Sequence, residues 1–172
     1  IPTKVLLDAS EVYHVIRNQS VDFGISVGEV KFDLQKMMER KSKIVTERCS
    51  GIDFLMQKNK ITRIQGSAKI ISKNSVEILM PNGDLSRYTA DAIILATGSV
   101  SVELPMLKFN GKNIISSNEA ISLTKVPENM IIVGAGAIGL ELGSVWSRLG
   151  SKVSIVEMMP ALFGGIDRQM AG

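Results

Sequence analysis

Cysteine is almost missing from this chain. Cys49 is the only one in 172 residues, which excludes an intrachain disulfide and a multi-cysteine zinc cluster, and no other metal site is expected. With Ile44, Val45 and Ile52 close by in the sequence, Cys49 is expected to be a buried structural thiol. Histidine is equally scarce. His14 has no acid or cysteine partner near it in the sequence, so a surface or packed helix histidine is expected rather than a catalytic one. No apolar run approaches the ~18 residues of a membrane-crossing helix, and no signal-peptide pattern is present. A soluble, reducing compartment fits these absences. Aromatic residues make up only 5% of the chain, and they do not interleave with the basic residues as stacking platforms would. Lys36, Arg40, Lys41, Lys43, Arg48, Lys58, Lys60 and Arg63 are therefore expected to form a solvated helix face rather than a nucleic-acid surface. The net charge of +3 is small, and 45% hydrophobic with 22% charged residues is ordinary for a globular chain holding one good core or two small domains.

What is present centres on Met130–Glu157, MIIVGAGAIGLELGSVWSRLGSKVSIVE. An apolar run at Met130–Val133 leads into Gly134-Ala135-Gly136-Ala137-Ile138-Gly139. Leu140, Leu142, Val145, Trp146 and Leu149 then recur at helical spacing until Gly150, a helix stop. Val153–Val156 is the next strand, closed by Glu157. The glycines match the needs of a dinucleotide turn. Gly134 permits the tight turn, Gly136 lets backbone approach a pyrophosphate, and Gly139 lets the helix pack closely on the strand. The helix N-terminus then offers free N–H groups and a positive dipole end to phosphates. Glu157, 18 residues after Gly139, stands where an acid accepts hydrogen bonds from ribose hydroxyls. It would repel a 2′-phosphate, and no arginine follows directly, so NAD is expected over NADP.

Along the rest of the chain, Pro2 suits a first helical turn. Val5, Ala9, Val12 and Ile16 follow at helical spacing, with Leu6 and Leu7 widening the apolar face. Lys4 stands at the start of this helix, where its cation opposes the dipole, which marks it as a candidate site contact. Asn18–Val30 is loop-like. Phe32-Asp33 has the pattern of a hydrophobic staple and N-cap before a long amphipathic helix towards Lys58. The Met37-Met38 pair is expected as core filler. From Ile61 the period shortens to strands: Ile61–Gln65, Lys69–Ile71, Val76–Leu79 and Ser86–Tyr88, punctuated by Asn74 and by Pro81-Asn82-Gly83-Asp84, an antiparallel meander. Asp91–Leu95 is expected as a buried strand ending in Ala96-Thr97-Gly98-Ser99. Such a strand end is either a ligand edge of an open α/β sheet or a plain tight turn. Val100–Asn129 is a connector with one short helix near Ser117–Leu123, and a domain boundary is expected near Pro127. The chain begins without methionine and stops fifteen residues past Glu157, so it is expected to be part of a larger protein.

The order of these pieces resembles the flavin-dependent pyridine nucleotide–disulfide oxidoreductases. Ile1-Pro2-Thr3-Lys4 matches the stretch that follows the second cysteine of their redox-active pair, Ala96–Ser99 a second flavin motif, and Gly134–Gly139 the internal NAD fingerprint. The resemblance implies an α/β fold: two FAD/NAD(P)-binding Rossmann-like domains, both incomplete, with a small antiparallel meander. Residues 1–127 would belong to the FAD-binding domain and 128–172 to the first βαβ of the NAD-binding domain. It implies FAD contacts at Lys4, Gly66, Ala68, Thr97, Gly98 and Ser99, with Ala68 standing where a glycine is common. It implies NAD contacts at Gly134, Ala135, Gly136, Ala137, Ile138, Gly139, Glu141 and Glu157. Lys4 and Glu141 would form a catalytic pair beside the flavin. Within the family, Gly134–Trp146 with Arg148-Leu149-Gly150 is most similar to members that oxidise dihydrolipoamide, carried on lipoyl domains of 2-oxo-acid dehydrogenase complexes. Those are homodimers of the bacterial cytoplasm or mitochondrial matrix. Mercuric or glutathione reductase, transhydrogenase and a noncatalytic nucleotide-binding module are the other readings. Cys49 would not be a redox cysteine, and the 172 residues alone would turn over no lipoamide.

Overall fold

The computed structural model describes residues 1–159. They divide into two compact units, one of Ile1–Arg48 with the chain from Ser101 onward, the other of Cys49–Val100.

In the first unit, helix α1 (Pro2–Asn18) starts on Pro2, which has no N–H to leave unpaired there. A short 3-10 turn (Ser20–Phe23) closed by left-handed Gly24 interrupts the expected loop. Asp33 caps α2 (Leu34–Lys58) by accepting the Lys36 N–H at 3.1 Å, and Phe32 meets the Tyr13 ring edge-on at 4.9 Å. The short helix α3 (Ser117–Ala120) carries a complete capping box, Ser116 and Glu119 each satisfying the other's backbone. The Ser116 hydroxyl and then the Ser116 backbone N–H, both donating to the Glu119 carboxylate, hold it below its usual range. Strand β4 (Asn129–Val133), helix α4 (Ala137–Arg148) and strand β5 (Lys152–Val156) form a parallel βαβ unit, with Met130 opposite Val153 and Val133 opposite Val156. Gly150, at φ +111°, lets the chain leave α4 and return to the sheet.

The core gathers Leu6 and Tyr13 of α1, Ala120 of α3, and Leu142, Val145, Trp146 and Leu149 of α4 and its end. Trp146 is fully buried, and its indole N–H donates to the Ala120 carbonyl at 3.2 Å. The stripe of α1 that is buried runs through Leu6, Ser10 and Tyr13; Val5 is also buried, whereas Val12 and Ile16 are exposed. The expected Val5–Ala9–Val12–Ile16 face is thus rotated. Both stripes have helical spacing, and contact with α4 selects the one that contains the small, self-satisfied Ser10. Lys41 also departs from a solvated face. It is buried, and its ammonium donates to the Ile121 carbonyl at 2.7 Å and the Ser122 hydroxyl at 3.1 Å. Burial lowers its pKa.

The second unit holds the antiparallel sheet β1 (Ser67–Ser72), β2 (Ser75–Leu79) and β3 (Leu85–Thr89), in that order, with Ile70 opposite Val76 and Glu77 opposite Arg87. Asn74 fixes the first turn by donating to the Ala90 and Asp91 carbonyls, and left-handed Gly83 makes the second. Two expected strands do not form here. Ile61–Gln65 and Asp91–Leu95 are irregular, without ladder partners among the described residues, and Ile94 is 90% exposed. An apolar run becomes a buried strand only where neighbouring strands accept it. Cys49, expected inside, is exposed on α2 because no described residue covers that position.

Candidate functional site

The glycine turn between β4 and α4 fulfils three separate requirements. Gly134 has φ +100°, a conformation costly for any residue with a Cβ. Its N–H continues the ladder by donating to the Val156 carbonyl at 2.8 Å. A Cβ on Gly139 would lie 2.5 Å from the Gly134 carbonyl oxygen and 2.9 Å from Ile132 Cγ2, so only glycine lets α4 sit this close to β4. Gly143 repeats the device one turn later, against Ile132 Cδ1 at 2.9 Å. Gly136 differs. A Cβ there would meet no heavy atom within 4 Å, so the space above it is open for an approaching group. Gly136 is also the N-cap of α4 and supplies no side-chain acceptor. The first N–H groups of α4, from Ala137, Ile138 and Gly139, therefore point out of a 12-residue helix with its positive dipole end behind them.

Glu157 reaches this turn from the end of β5. One carboxylate oxygen accepts the Ala135 N–H at 2.8 Å, and the other accepts the Met159 N–H at 2.7 Å. The Met159 and Ala135 hydrogen bonds, in that order, hold the carboxyl of half-buried Glu157 below its usual range, so it is ionised at neutral pH. Gly134, Ala135, Gly136, Ala137, Ile138, Gly139 and Glu157 thus meet in one place. Open backbone above Gly136, uncapped helix N–H groups and a fixed carboxylate fit a pyrophosphate with a free ribose 2′-hydroxyl.

Lys4 and Glu141 also meet. The Lys4 ammonium donates to a Glu141 carboxylate oxygen, bringing the first turn of α1 against α4. The Lys4 side chain is 68% exposed, so the pair does not enclose a buried cation. A second pair on the same two helices, Glu11 with Arg148, escaped sequence reading. Its signal was there as opposite charges spaced seven residues from Lys4 and from Glu141.

The remaining candidates lie in the second unit. A Cβ on Gly66 would sit 2.5 Å from the Leu79 carbonyl oxygen and 2.6 Å from Ile78 Cγ2, so packing against β2 is reason enough for that glycine. Ala68 pairs with Ile78 within the sheet. Thr97, Gly98 and Ser99 are exposed in irregular chain, with Gly98 at φ +77°, so this stretch does not end a strand in the structure. Among the described residues, no helix is long and apolar enough to cross a membrane.

The family model described as pyridine nucleotide-disulphide oxidoreductase matches residues 1–172. The dihydrolipoyl dehydrogenase of Cupriavidus necator is 42% identical over 172 residues, covering 99% of this chain and 36% of that protein. The mitochondrial dihydrolipoyl dehydrogenase of Dictyostelium discoideum is 40% identical over 171 residues, covering 99% and 35%. The chain spans about a third of the length of the curated relatives it matches. A crystal structure of LpdA from Mycobacterium tuberculosis aligns with a TM-score of 0.86 at 20% identity, covering 99% of this chain and 38% of that one, a likeness in fold.

Proposed function

Because this chain belongs to the pyridine nucleotide-disulphide oxidoreductases, we propose that it is the cofactor-contacting portion of a dihydrolipoyl dehydrogenase. In this reading the protein oxidises dihydrolipoamide, presented by a lipoyl domain of a 2-oxo-acid dehydrogenase complex, and reduces NAD. It works as a homodimer in the bacterial cytoplasm or the mitochondrial matrix. Residues 1–127 contribute to an FAD-binding domain and 128–172 open the NAD-binding domain. FAD supplies the two-electron redox chemistry that links a dithiol to the nicotinamide.

The chain's own residues bind and orient. Gly134–Gly139 carries the NAD pyrophosphate on backbone N–H groups. Glu157 accepts the ribose hydroxyls, its ionised carboxylate opposing a 2′-phosphate. Lys4, held by Glu141, places a cation beside the flavin ring, where it favours the electron-rich form. Gly66, Ala68, Thr97, Gly98 and Ser99 line the flavin nucleotide. The observation that carries the reading is the Glu157 carboxylate anchored on the Ala135 N–H of the glycine turn, within a chain 40% identical to a dihydrolipoyl dehydrogenase over almost its whole length.

The experiment is steady-state turnover of dihydrolipoamide by the full-length protein with NAD+ or NADP+ as acceptor. The reading expects a preference for NAD+ of roughly a hundredfold, about 2.7 kcal/mol, which Glu157→Ala narrows. Equal rates with both acceptors, or a preference for NADP+, contradict it.

A further inference from the structure

Helices α1 and α4 are joined by two ion pairs whose geometry is linked. Lys4 meets Glu141 and Glu11 meets Arg148, and the partners of both pairs are 137 residues apart in sequence. Equal offsets mean that the two helices run parallel in one register. Seven residues separate the pairs on each helix, close to two turns, so both pairs lie along the same seam. The apolar contacts between them, Leu6 and Tyr13 against Leu142, Val145 and Trp146, are non-directional and would tolerate a slip along the axis.

The charges would not tolerate it. A slip of one turn, about 5.4 Å, breaks both pairs together, moving Lys4 opposite Ala137 or Val145. A slip of two turns brings Lys4 against Arg148 in one direction and Glu11 against Glu141 in the other, like charge on like. The order of signs, cation then anion on α1 and anion then cation on α4, leaves one register in which every charge has an opposite partner. Arg148 is well placed to act as the anchor. Its side chain is the less exposed of its pair, at 28% against 47% for Glu11, and it sits in the last turn of α4, where a cation suits the helix dipole.

We infer that Glu11 and Arg148 are positioning residues that set the register of α1 on α4, and thereby hold Lys4 on Glu141. The functional consequence rests on the proposed placement of Lys4 beside the flavin; the register itself does not. Individual exposed ion pairs contribute little to stability, so their value here is selection between registers.

The test uses the full-length, flavin-loaded protein and four variants: Glu11→Arg, Arg148→Glu, the double reversal, and Lys4→Met. Carbodiimide coupling joins a lysine to a carboxylate in contact, and peptide mass spectrometry then measures the Lys4–Glu141 cross-link. Each single reversal is expected to lower its yield roughly tenfold, within the range for coupled contacts sharing one backbone shift. The double reversal re-forms the second pair and leaves the native register with two opposite pairs against one in either two-turn slip, so it is expected to restore most of the yield. The flavin midpoint potential should move in the single reversals in the same direction as in Lys4→Met, and return in the double. An unchanged cross-link yield in both single reversals overturns the inference, as does a double reversal that restores nothing. If the cross-link follows the expected pattern while Lys4→Met leaves the flavin potential unmoved, the register stands and the placement of Lys4 beside the flavin fails.

Discussion

Glycines that look alike along the chain answer to different constraints. Gly139 is packed, with positions 2.5 and 2.9 Å from fixed atoms already claimed by its absent Cβ. Gly139→Ala must push α4 off β4, at a cost of ~1–3 kcal/mol as for other overpacked positions. Gly136 faces open space and has φ −77°, which alanine adopts freely. Gly136→Ala should keep its urea midpoint and lose NADH affinity roughly tenfold, about 1.4 kcal/mol. Fluorescence titration with NADH beside urea unfolding separates the two, and equal loss of stability in both variants contradicts this division. Glu157 makes a prediction in pH. Its folded pKa is held below the ordinary 4.5 by the Met159 and Ala135 N–H groups. The stabilisation is therefore complete above the unfolded pKa and is lost as pH falls through the lower folded value. A carboxyl carbon NMR titration should place the Glu157 midpoint below that of an exposed glutamate. Glu157→Gln should flatten the acid limb of the stability curve; an unaltered limb contradicts the assignment.

At the scale of elements, α4 is the member that the others pack around. Gly139 and Gly143 turn one face to β4 and β5, while Leu142, Val145 and Trp146 meet Leu6, Tyr13 and Ala120. Trp146→Ala empties the largest fully buried side chain in the described chain and should cost ~3–5 kcal/mol. As the only tryptophan it also reports on itself, with emission expected to shift red in urea. A solvent-like emission maximum in the native protein contradicts its burial. The βαβ unit was legible in the sequence because its signals are local: apolar run, glycine turn, helical spacing and terminal acid fall within 28 residues. The meander was legible from Asn74 and Pro81–Asp84, whose turn chemistry is local too. What sequence missed depends on partners far along the chain. The face of α1 was misplaced because α4, more than a hundred residues later, decides which of two helical stripes is covered. Lys41 sat in a run of basic residues, and only the Ile121 carbonyl makes its burial intelligible. Ile61–Gln65 and Asp91–Leu95 carried strand composition without the neighbouring strands that would pair them.

At the scale of the whole molecule, two observations of different kinds meet. The glycine turn with Glu157 has open backbone and a fixed carboxylate, the geometry on which the proposed nucleotide site rests. Its chemistry comes from membership of the pyridine nucleotide-disulphide oxidoreductases and from the proposal that the protein oxidises a dithiol. No geometry of the turn specifies that dithiol; its proposal rests on the resemblance carried by Gly134–Trp146 with Arg148–Gly150 and on likeness over the entire chain. The most direct measurement is an anaerobic titration of the full-length protein with dihydrolipoamide, followed by addition of NAD+ and monitored in the visible flavin spectrum. The account predicts that dihydrolipoamide reduces the protein and that NAD+ then reoxidises it, with NADH appearing in step. A flavin spectrum untouched by dihydrolipoamide, in protein that binds NADH, would contradict it.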